Sequence, residues 1–313
     1  MESEPQTTPA AAAAEGPELR PFRADDARVV FGLLRAAQAR DGSRVGRPTW
    51  HDDAAVLADY RLTGVDPATA LRVAEHDGRI IAFAGYNRAP WDPDAWLCGP
   101  VVAPEARHAG RGASLLQWAV SAARDGGATG VRAQTAAANA EARALLESAG
   151  FAYRAPVQRL RAARNEFRPA PSRRDLAVRR VFDPAGARAA WAVHREVLPD
   201  LPCSEEAFAY WAAHPSFHLL FFAEAAGRPA GTVLVDDDGS GEVWLRRLAV
   251  RPEARDGGIA HALLSRALSL TLLRNTIFGV SVEVDVEDLQ ALDLYAELGF
   301  RLHAVLEEYR LAL

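Results

Sequence analysis

Residues 250–264 read VRPEARDGGIAHALL, and residues 102–116 read VAPEARHAGRGASLL. Both stretches place a proline, a glutamate, an alanine and an arginine before a glycine and then a pair of leucines, always at an offset of 148 positions. The Trp-Leu pairs at 96–97 and 244–245 keep the same offset upstream. Identities that hold one register over such a span indicate an internal repeat, so we predict two homologous domains.

Each copy has the same predicted order of strands and helices, which indicates an α/β (α+β) fold. A strand (ELRPFR or LAVRRVF) precedes a helical region, and two strands joined by a polar turn follow, as in LRVAEHDGRIIAFAGY and HLLFFAEAAGRPAGTVLV. A helix then begins at the glycines of the repeated stretch, because apolar residues recur with helical spacing from Ala260 to Leu268. Another strand, SVEVDV, leads to the helix LQALDLYAEL, which we expect Gly299 to end.

Composition suggests the domain boundaries. Residues 1–16 have low complexity, no basic start and no leucine-rich run, so we expect a disordered tail and not a signal peptide. Residues 168–176 contain prolines and arginines with little to bury, which is typical of a linker. We therefore expect the first domain over residues 17–167 and the second over residues 177–313.

Composition also argues against several kinds of partner. The net charge is −5 and no concentrated basic face is visible, so we expect no nucleic-acid partner. No apolar run is long enough to cross a bilayer, so we expect no membrane partner. Cys98 and Cys203 lack the spacing of a disulfide framework or zinc site, which fits the cytoplasm. Pro215 separates His214 from His218, so one helical face cannot present both, and we expect no metal site.

The repeated glycine turn has two interpretations. A helix that begins there exposes unpaired N–H groups and the positive end of its dipole, which together favour an anion such as a pyrophosphate. Glycine near a helix start is equally compatible with plain turn chemistry. Two copies, each with an arginine three residues before the glycine, favour the anion site.

The turns resemble a known family. Each follows a V-x-P strand exit, with Arg107, Gly110 and Gly112 in the first copy and Arg255, Gly258 and Ala260 in the second. This arrangement resembles the coenzyme A pyrophosphate loop of the GNAT superfamily of N-acetyltransferases. The family's downstream pattern N-x-x-A-x-x-L-Y-x-x-x-G-F is met, with one change, by Asp288, Ala291, Leu294, Tyr295, Gly299 and Phe300. The tandem plan is similar to that of mycothiol synthases.

The resemblance implies two tandem GNAT-like domains that bind acetyl-CoA. Each would contain a mixed, mostly antiparallel sheet with splayed central strands, flanked by helices, and acetyl-CoA would lie in the opening. The resemblance implies that the main chain of Leu248, Ala249 and Val250 holds the pantetheine. It places the phosphates against a second set of residues, namely Arg255, Asp256, Gly257, Gly258, Ile259 and Ala260, with Asp288 nearby. The corresponding set in the first copy is Arg107, Gly110, Arg111, Gly112 and Asn139. Asp256 and Asp288 replace the usual glycine and asparagine, and a carboxylate beside a pyrophosphate is electrostatically unfavourable.

Acetyl transfer to an amine requires two proton transfers. A primary alkyl amine with a pKa near ~10.4 is almost entirely ammonium at neutral pH, so a base is needed. The departing thiolate, with a pKa near ~8.5, benefits from a proton donor. By resemblance to bacterial ribosomal-protein alanine N-acetyltransferases, Glu283 is the candidate base and Tyr295 the candidate acid. The alternatives are an outward-facing strand carboxylate for Glu283 and an amphipathic core tyrosine for Tyr295.

The first copy lacks both candidate groups. Gln134 corresponds to Glu283, and Leu146 corresponds to Tyr295. Neither side chain transfers protons. Because its phosphate loop is intact, we expect the first copy to hold coenzyme A without turning it over.

The acceptor is expected to contact the segment after the first helix of the second copy. Phe208, Tyr210 and Trp211 are candidates for a pocket wall and equally for the core. Asp285, Glu287 and Asp288 either attract a cationic amine or form a solvated acidic cap. Ser204 is predicted to begin a helix. The sequence allows a homodimer without specifying one.

Two functions follow from these patterns. The first is an N-acetyltransferase that moves an acetyl group from acetyl-CoA to a primary amine of a small molecule or peptide. It would act by direct attack in a ternary complex in the C-terminal domain. The alternative is a non-catalytic acetyl-CoA-binding or sensing module in which both copies have lost chemistry.

Overall fold

The structure is a computed structural model. It describes residues 18–41, 50, 52–171, 176–199, 203–216, 218–237 and 241–313. The predicted tail over residues 1–16 lies outside the described residues, as does part of the predicted linker. No helix in the described ranges is long and apolar enough to cross a bilayer.

The first copy contains six strands and five helices in its described residues. In chain order these are β1 (Glu18–Pro21), α1 (Ala27–Asp41), α2 (Asp53–Thr63), α3 (Pro67–Ala70), β2 (Leu71–His76), β3 (Arg79–Asn87), β4 (Asp94–Val102), α4 (Arg111–Asp125), β5 (Gly130–Ala136), α5 (Ala140–Ser148) and β6 (Ala152–Ala163).

The second copy repeats this order with four helices in its described residues. They are β7 (Ala177–Arg180), α6 (Pro184–Val197), α7 (Glu205–Ala213), β8 (His218–Ala225), β9 (Arg228–Asp237), β10 (Glu242–Val250), α8 (Ile259–Thr271), β11 (Gly279–Asp285), α9 (Leu289–Glu297) and β12 (Arg301–Ala312). The predicted helices at Ala260–Leu268 and at residues 289–298 are therefore confirmed.

Local sequence signals set several helix ends. The Ser204 side chain accepts a hydrogen bond from the amide of Ala207 at 3.3 Å, so the predicted start of α7 is confirmed. Gly299 has a φ of +94° just after α9. A Cβ at this position would lie 2.1 Å from the carbonyl oxygen of Glu166, so only glycine fits the chain reversal.

The twelve strands form one continuous sheet in which the two copies exchange their last strands. The order is β1-β2-β3-β4-β5-β12-β6-β11-β10-β9-β8-β7. Strand β12 pairs antiparallel with β5 of the first copy, and β6 pairs antiparallel with β11 of the second. The two exchanged strands also pair with each other. Thus neither copy completes its sheet with its own last strand.

Each half of the sheet opens at the same place. Strands β4 and β5 pair in parallel only from Asp94 to Trp96, and β10 and β11 pair only from Glu242 to Trp244. All four strands are described over their full length. Beyond these points β4 no longer pairs with β5, and β10 no longer pairs with β11. The predicted mixed, mostly antiparallel sheet with splayed central strands is therefore confirmed in both copies.

Helices cover both faces of the second half of the sheet. Leu219 and Phe221 of β8 pack in one apolar cluster with α8 and α9, whereas Leu220 and Phe222 pack in another with α6 and α7. Successive residues of a strand point to opposite faces, so β8 is buried on both sides. The split between β10 and β11 thus lies between two helical layers.

Candidate functional site

In the first copy the repeated stretch borders a cavity of about 270 Å³. All of the residues expected to hold phosphates in this copy line the cavity, namely Arg107, Gly110, Arg111, Gly112 and Asn139. The rest of the wall includes the end of β4, the first turn of α5 and Ala37 of α1. A helix start that faces such a space offers unpaired N–H groups to an anion.

The arginine of each turn anchors its loop to the preceding strand. Nε of Arg107 donates to the carbonyl oxygen of Val102 at 3.2 Å, and Nε of Arg255 donates to that of Val250 at 3.4 Å. Arg107 also faces Glu141, with 3.8 Å between Nη1 and Oε2. Each arginine therefore has a structural role, because its side chain joins the loop to the end of the preceding strand.

Arg111 distinguishes the two loops. Its Nη1 donates to the carbonyl oxygen of Ala106 at 2.8 Å, but its Nε is buried and has no hydrogen-bond partner among the described residues. In the second copy the equivalent residue, Ile259, is 1 % exposed and packs in the α8 core. The first loop therefore has a cationic side chain where the second has an apolar one.

Both copies keep the same backbone geometry at the helix start. Gly110, with φ +74°, precedes α4, and Gly258, with φ +67°, precedes α8. Pro252–Gly257 forms a 3₁₀ turn that leads into Gly258. His261 in the first turn of α8 pairs with Glu297 at the end of α9, with 2.7 Å between Nε2 and Oε2. The second loop is thus tied to α9 by a contact absent from the first copy, where alanine replaces the histidine.

Asn139 and Asp288 have the same structural role. The side chain of Asn139 accepts a hydrogen bond from the amide of Ala142 at 3.0 Å, and that of Asp288 accepts one from Ala291 at 3.0 Å. Each therefore caps the helix that follows it, α5 or α9. Aspartate and asparagine are equally good N-caps, so the replacement preserves the local structure while adding a charge.

The segment expected to hold the pantetheine follows a β-bulge. The β9–β10 ladder shifts register between Arg246 and Ala249, where Arg247 has a φ of +51°. Gly99, with φ +89°, occupies the equivalent position in β4. Beyond the bulge, the main-chain groups of Leu248–Val250 that point toward β11 have no ladder partner. The carbonyl oxygen of Val250 accepts the hydrogen bond from Nε of Arg255, while the absence of a β11 ladder partner leaves room for a ligand in the split.

Glu283 lies on β11 beyond the point where β10 diverges. Its side chain is 12 % exposed. Nη2 of Arg159 donates to its Oε1 at 2.7 Å, and Nε2 of Gln134 donates to its Oε2 at 3.1 Å. Glu283 is thus a mostly buried carboxylate that is paired on both of its oxygens.

Tyr295 lies on α9 and is 4 % exposed. Its ring packs against Phe300, with 5.3 Å between the ring centroids. Burial, and secondarily the charge of Asp288, raises the pKa of Tyr295 far above its ordinary value. The phenol therefore keeps its proton at neutral pH, and the side chain belongs to the apolar cluster beneath α8 and α9.

The other predicted residues lie in different surroundings. Gln134 and Leu146 are buried on β5 and α5 of the first copy. Phe208 and Trp211 are core residues of the α6–α7 layer. Tyr210 contacts Trp91 of the first copy, with ring centroids 4.8 Å apart.

The acidic residues Asp285, Glu287 and Asp288 are exposed. Among the described residues, no group of three histidine, cysteine, aspartate or glutamate side chains suits a metal ion.

Sequence reasoning did not find the partners of Glu283. Arg159 belongs to β6, and its contact depends on the exchange of strands. The sequence alone identifies Gln134 only as the residue that replaces a base. The repeat offset makes Gln134 and Glu283 equivalent positions, but it does not predict that their side chains contact each other.

Solved structures resemble the whole chain. A GCN5-related N-acetyltransferase from Sphaerobacter thermophilus is 22 % identical, with a TM-score of 0.73 and coverage of 95 % of each chain. A tandem GNAT protein from the clavulanic acid biosynthesis pathway is 17 % identical, with a TM-score of 0.69 and coverage of 95 % of this chain and 98 % of its own. A search of curated proteins finds no match.

The family comparison matches both copies separately. The model of the acetyltransferase (GNAT) family matches residues 34–151 and again residues 187–300. Each match spans the strand exit, the glycine turn and the helix that follows it. The chain therefore belongs to the GNAT acetyltransferase family and contains two GNAT repeats.

Proposed function

We propose that the protein is an N-acetyltransferase that transfers the acetyl group of acetyl-CoA to a primary amine of a small molecule or peptide. Membership of the GNAT family supports acyl transfer in general. The observation that carries the proposal is the asymmetry of the copies. Glu283 and a buried Tyr295 occur in the second copy, whereas Gln134 and Leu146 replace them in the first.

The described residues fit acetyl-CoA. The edge of β10 at Leu248–Val250, which has no ladder partner on β11, suits the amide groups of a pantetheine arm. The helix starts at Gly110 and Gly258 suit a diphosphate. The cavity and the unpaired Nε of Arg111 support binding in the first copy as well. When bound, acetyl-CoA would supply the activated acetyl thioester.

The protein's residues would handle the protons. Glu283 accepts a proton from the acceptor ammonium, directly or through water, and this frees the nitrogen lone pair to form the C–N bond. As the C–S bond breaks, the phenol of Tyr295 donates its proton to the departing sulfur. The second proton of the amine leaves to solvent and gives the neutral amide. Glu283 releases its proton to solvent, and Tyr295 regains one from solvent.

The cysteines support direct attack without an acyl-enzyme. Cys98 is buried. Burial raises the pKa of Cys203 to about 11. Because the thiolate is the nucleophile, the Cys203 thiol is not activated at neutral pH.

A second candidate is a non-catalytic acetyl-CoA-binding or sensing module. The hydrogen bonds that occupy both oxygens of Glu283 favour this candidate, as does the cavity in the copy without an acid or base. In that case acetyl-CoA would bind and persist.

Thiol release from acetyl-CoA with a panel of primary amines separates the two candidates. We expect turnover by the wild type, and a loss of about 100-fold or more in kcat for Tyr295→Phe and Glu283→Gln, as is typical for removal of a general acid or base. Calorimetry should show unchanged binding of coenzyme A by both variants. Binding without turnover for every amine would favour the sensing module, and unaltered turnover in both variants would refute the assigned roles.

A further inference from the structure

The strand exchange brings two equivalent positions of the repeat into contact. Gln134 on β5 and Glu283 on β11 occupy corresponding places in the two copies, and Nε2 of Gln134 donates to Oε2 of Glu283 at 3.1 Å. Glu308 lies opposite Gln134 in the β5–β12 ladder, and its Oε2 is 3.4 Å from the same Nε2. A carbonyl oxygen facing two carboxylates would be repelled, so the NH₂ end of the amide is the end that faces them.

Both oxygens of Glu283 are held by strands of the first copy. Arg159 on β6 donates to Oε1 from Nη2 at 2.7 Å and from Nε at 3.3 Å, and Gln134 on β5 holds Oε2. Glu308 on β12 and Arg132 on β5 also border this cluster, with 3.7 Å between Nη1 of Arg132 and Oε1 of Glu308. The carboxylate of the second copy is therefore oriented by residues outside its own repeat.

The residue type at position 134 is explained by this contact. Two glutamates at hydrogen-bond distance would repel each other, or would have to share a proton. Only one copy is thus able to keep an ionised carboxylate at the equivalent position. Glutamine has the same length, carries no charge and supplies the donor that Glu283 accepts.

Stability alone does not account for Gln134. The residue is 1 % exposed, and its Oε1 is buried without a hydrogen-bond partner among the described residues. An unpaired buried acceptor is destabilising, and an apolar side chain of similar shape would avoid that penalty. The amide therefore donates to Glu283 from a buried position where its own oxygen is unpaired.

We propose that Gln134, in the copy without an acid or base, is a positioning residue that orients Glu283 for proton transfer in the other copy. This inference rests on the proposed function. It gives the first copy a part in the chemistry that does not depend on whether its own cavity binds acetyl-CoA.

The test compares Gln134→Met with a matched control on the same strand. Thr135→Val also removes a buried polar group whose Oγ1 is unpaired among the described residues, but it does not contact Glu283. We expect Gln134→Met to lower kcat/KM about 10- to 100-fold, since hydrogen bonds to charged groups have effects of this size. We expect Gln134→Met to keep cooperative unfolding, because loss of the donor to Glu283 is offset in part by removal of the unpaired Oε1, and Thr135→Val to keep wild-type kinetics.

Two readouts separate positioning from a structural role. The acidic limb of the pH profile of kcat/KM should move to higher pH in Gln134→Met, because the ionised carboxylate loses a donor. The carboxyl ¹³C resonance of Glu283, assigned with Glu283→Gln in glutamate-labelled protein, should titrate at higher pH in Gln134→Met than in the wild type. An unchanged titration would overturn the inference whether or not the protein turns over.

Kinetics distinguish failure of this inference from failure of the proposed function. Wild-type kinetics in Gln134→Met, together with inactive Glu283→Gln, would overturn the positioning role alone. Absence of wild-type turnover with every amine would overturn the proposed function, and the positioning role with it.

Discussion

Asp288 has two effects at one position. It caps α9 through the amide of Ala291, and its negative charge adds to the burial that raises the pKa of Tyr295. The equivalent Asn139 lines the cavity of the first copy, where a carboxylate would oppose a bound diphosphate. The cap and the charge are therefore separable by a single substitution.

Asp288→Asn should keep the fold and strengthen cofactor binding. Because asparagine caps as well as aspartate, the free energy of unfolding should change by less than about 0.5 kcal/mol. Loss of a negative charge near a helix start that binds an anion should tighten coenzyme A binding by a few-fold, as measured by calorimetry. The mirror variant Asn139→Asp should weaken binding to the first copy. Equal affinities for coenzyme A in the wild type, Asp288→Asn and Asn139→Asp would show that the charge at neither position affects binding of the diphosphate.

At the residue level the sequence predicted the glycine turns, because their residues are linked by short, fixed spacings. The roles of Glu283 and Tyr295 come from the resemblance and stay a prediction. The left-handed glycines Gly110 and Gly258 lie where the pattern places them. The role of Arg107 differs in part from the expectation, because its guanidinium bonds the strand exit. A spacing indicates which residues are near the loop, but it does not reveal which of their donors are already used.

The exchanged strands are anchored by equivalent carboxylates at the starts of β4 and β10. Asp94 accepts hydrogen bonds from Nε and Nη2 of Arg310 on β12, both at 2.8 Å, and one from Arg132 at 2.9 Å. Glu242 pairs with Arg161 on β6 at 3.1 Å. Each copy therefore holds the last strand of the other by an ion pair.

Asp94→Asn should weaken the attachment of β12. Asp94 is buried while its arginine partners are about one-third exposed, so we expect a loss of about 2 kcal/mol in the free energy of unfolding, less than for a fully buried pair. Denaturant titration at neutral pH would measure it. Glu242→Gln tests the equivalent anchor of β6, and wild-type stability in both variants would contradict the anchoring role.

The Asp94 anchor should also depend on pH. Burial opposes ionisation of Asp94, but the hydrogen bonds from Arg310 and Arg132 outweigh it and lower the pKa of Asp94 below its ordinary value. A lowered pKa stabilises the folded state above the unfolded value of about 3.9, and this contribution is lost as the pH falls through the folded value. The stability difference between the wild type and Asp94→Asn should therefore shrink below about pH 4.

Periodicity predicted most elements but not the pairing of the central strands. The helical stripe of α8 and the end of α9 at Gly299 follow from local spacing. The local sequence pattern of β6 identifies a strand but not its partners. It therefore does not predict that β6 pairs with β11 and β12. Partner choice depends on side chains such as Asp94 and Arg310, which lie far apart in the chain.

Because the two copies share their central strands, we expect the whole molecule to fold and unfold as one unit. Strands β5, β12, β6 and β11 alternate between the copies. The sequence predicted two homologous domains over residues 17–167 and 177–313, and this remains a prediction about boundaries. Cutting between them would separate β6 from both of its partners, β11 and β12.

Separately produced halves should not be stable. Residues 18–171 would lack β12, and residues 176–313 would lack β6, so each would expose long unpaired strand edges. We expect each half alone to aggregate or to lack a cooperative unfolding transition. Mixing or co-expression should restore a complex of the size of the full chain. Size-exclusion chromatography and circular dichroism would measure both outcomes, and two stable monomeric halves would refute this expectation.

The pairing of β5 with β12 has a consequence for biosynthesis. Gln134 and Glu308 are 174 residues apart, so a ribosome adding roughly 5–20 residues per second needs roughly 10–35 s to supply the partner of a strand it has already made. During that interval the nascent chain carries an incomplete sheet. Capture by chaperones, or pairing with a neighbouring nascent chain on the same messenger RNA, would then compete with completion of the fold.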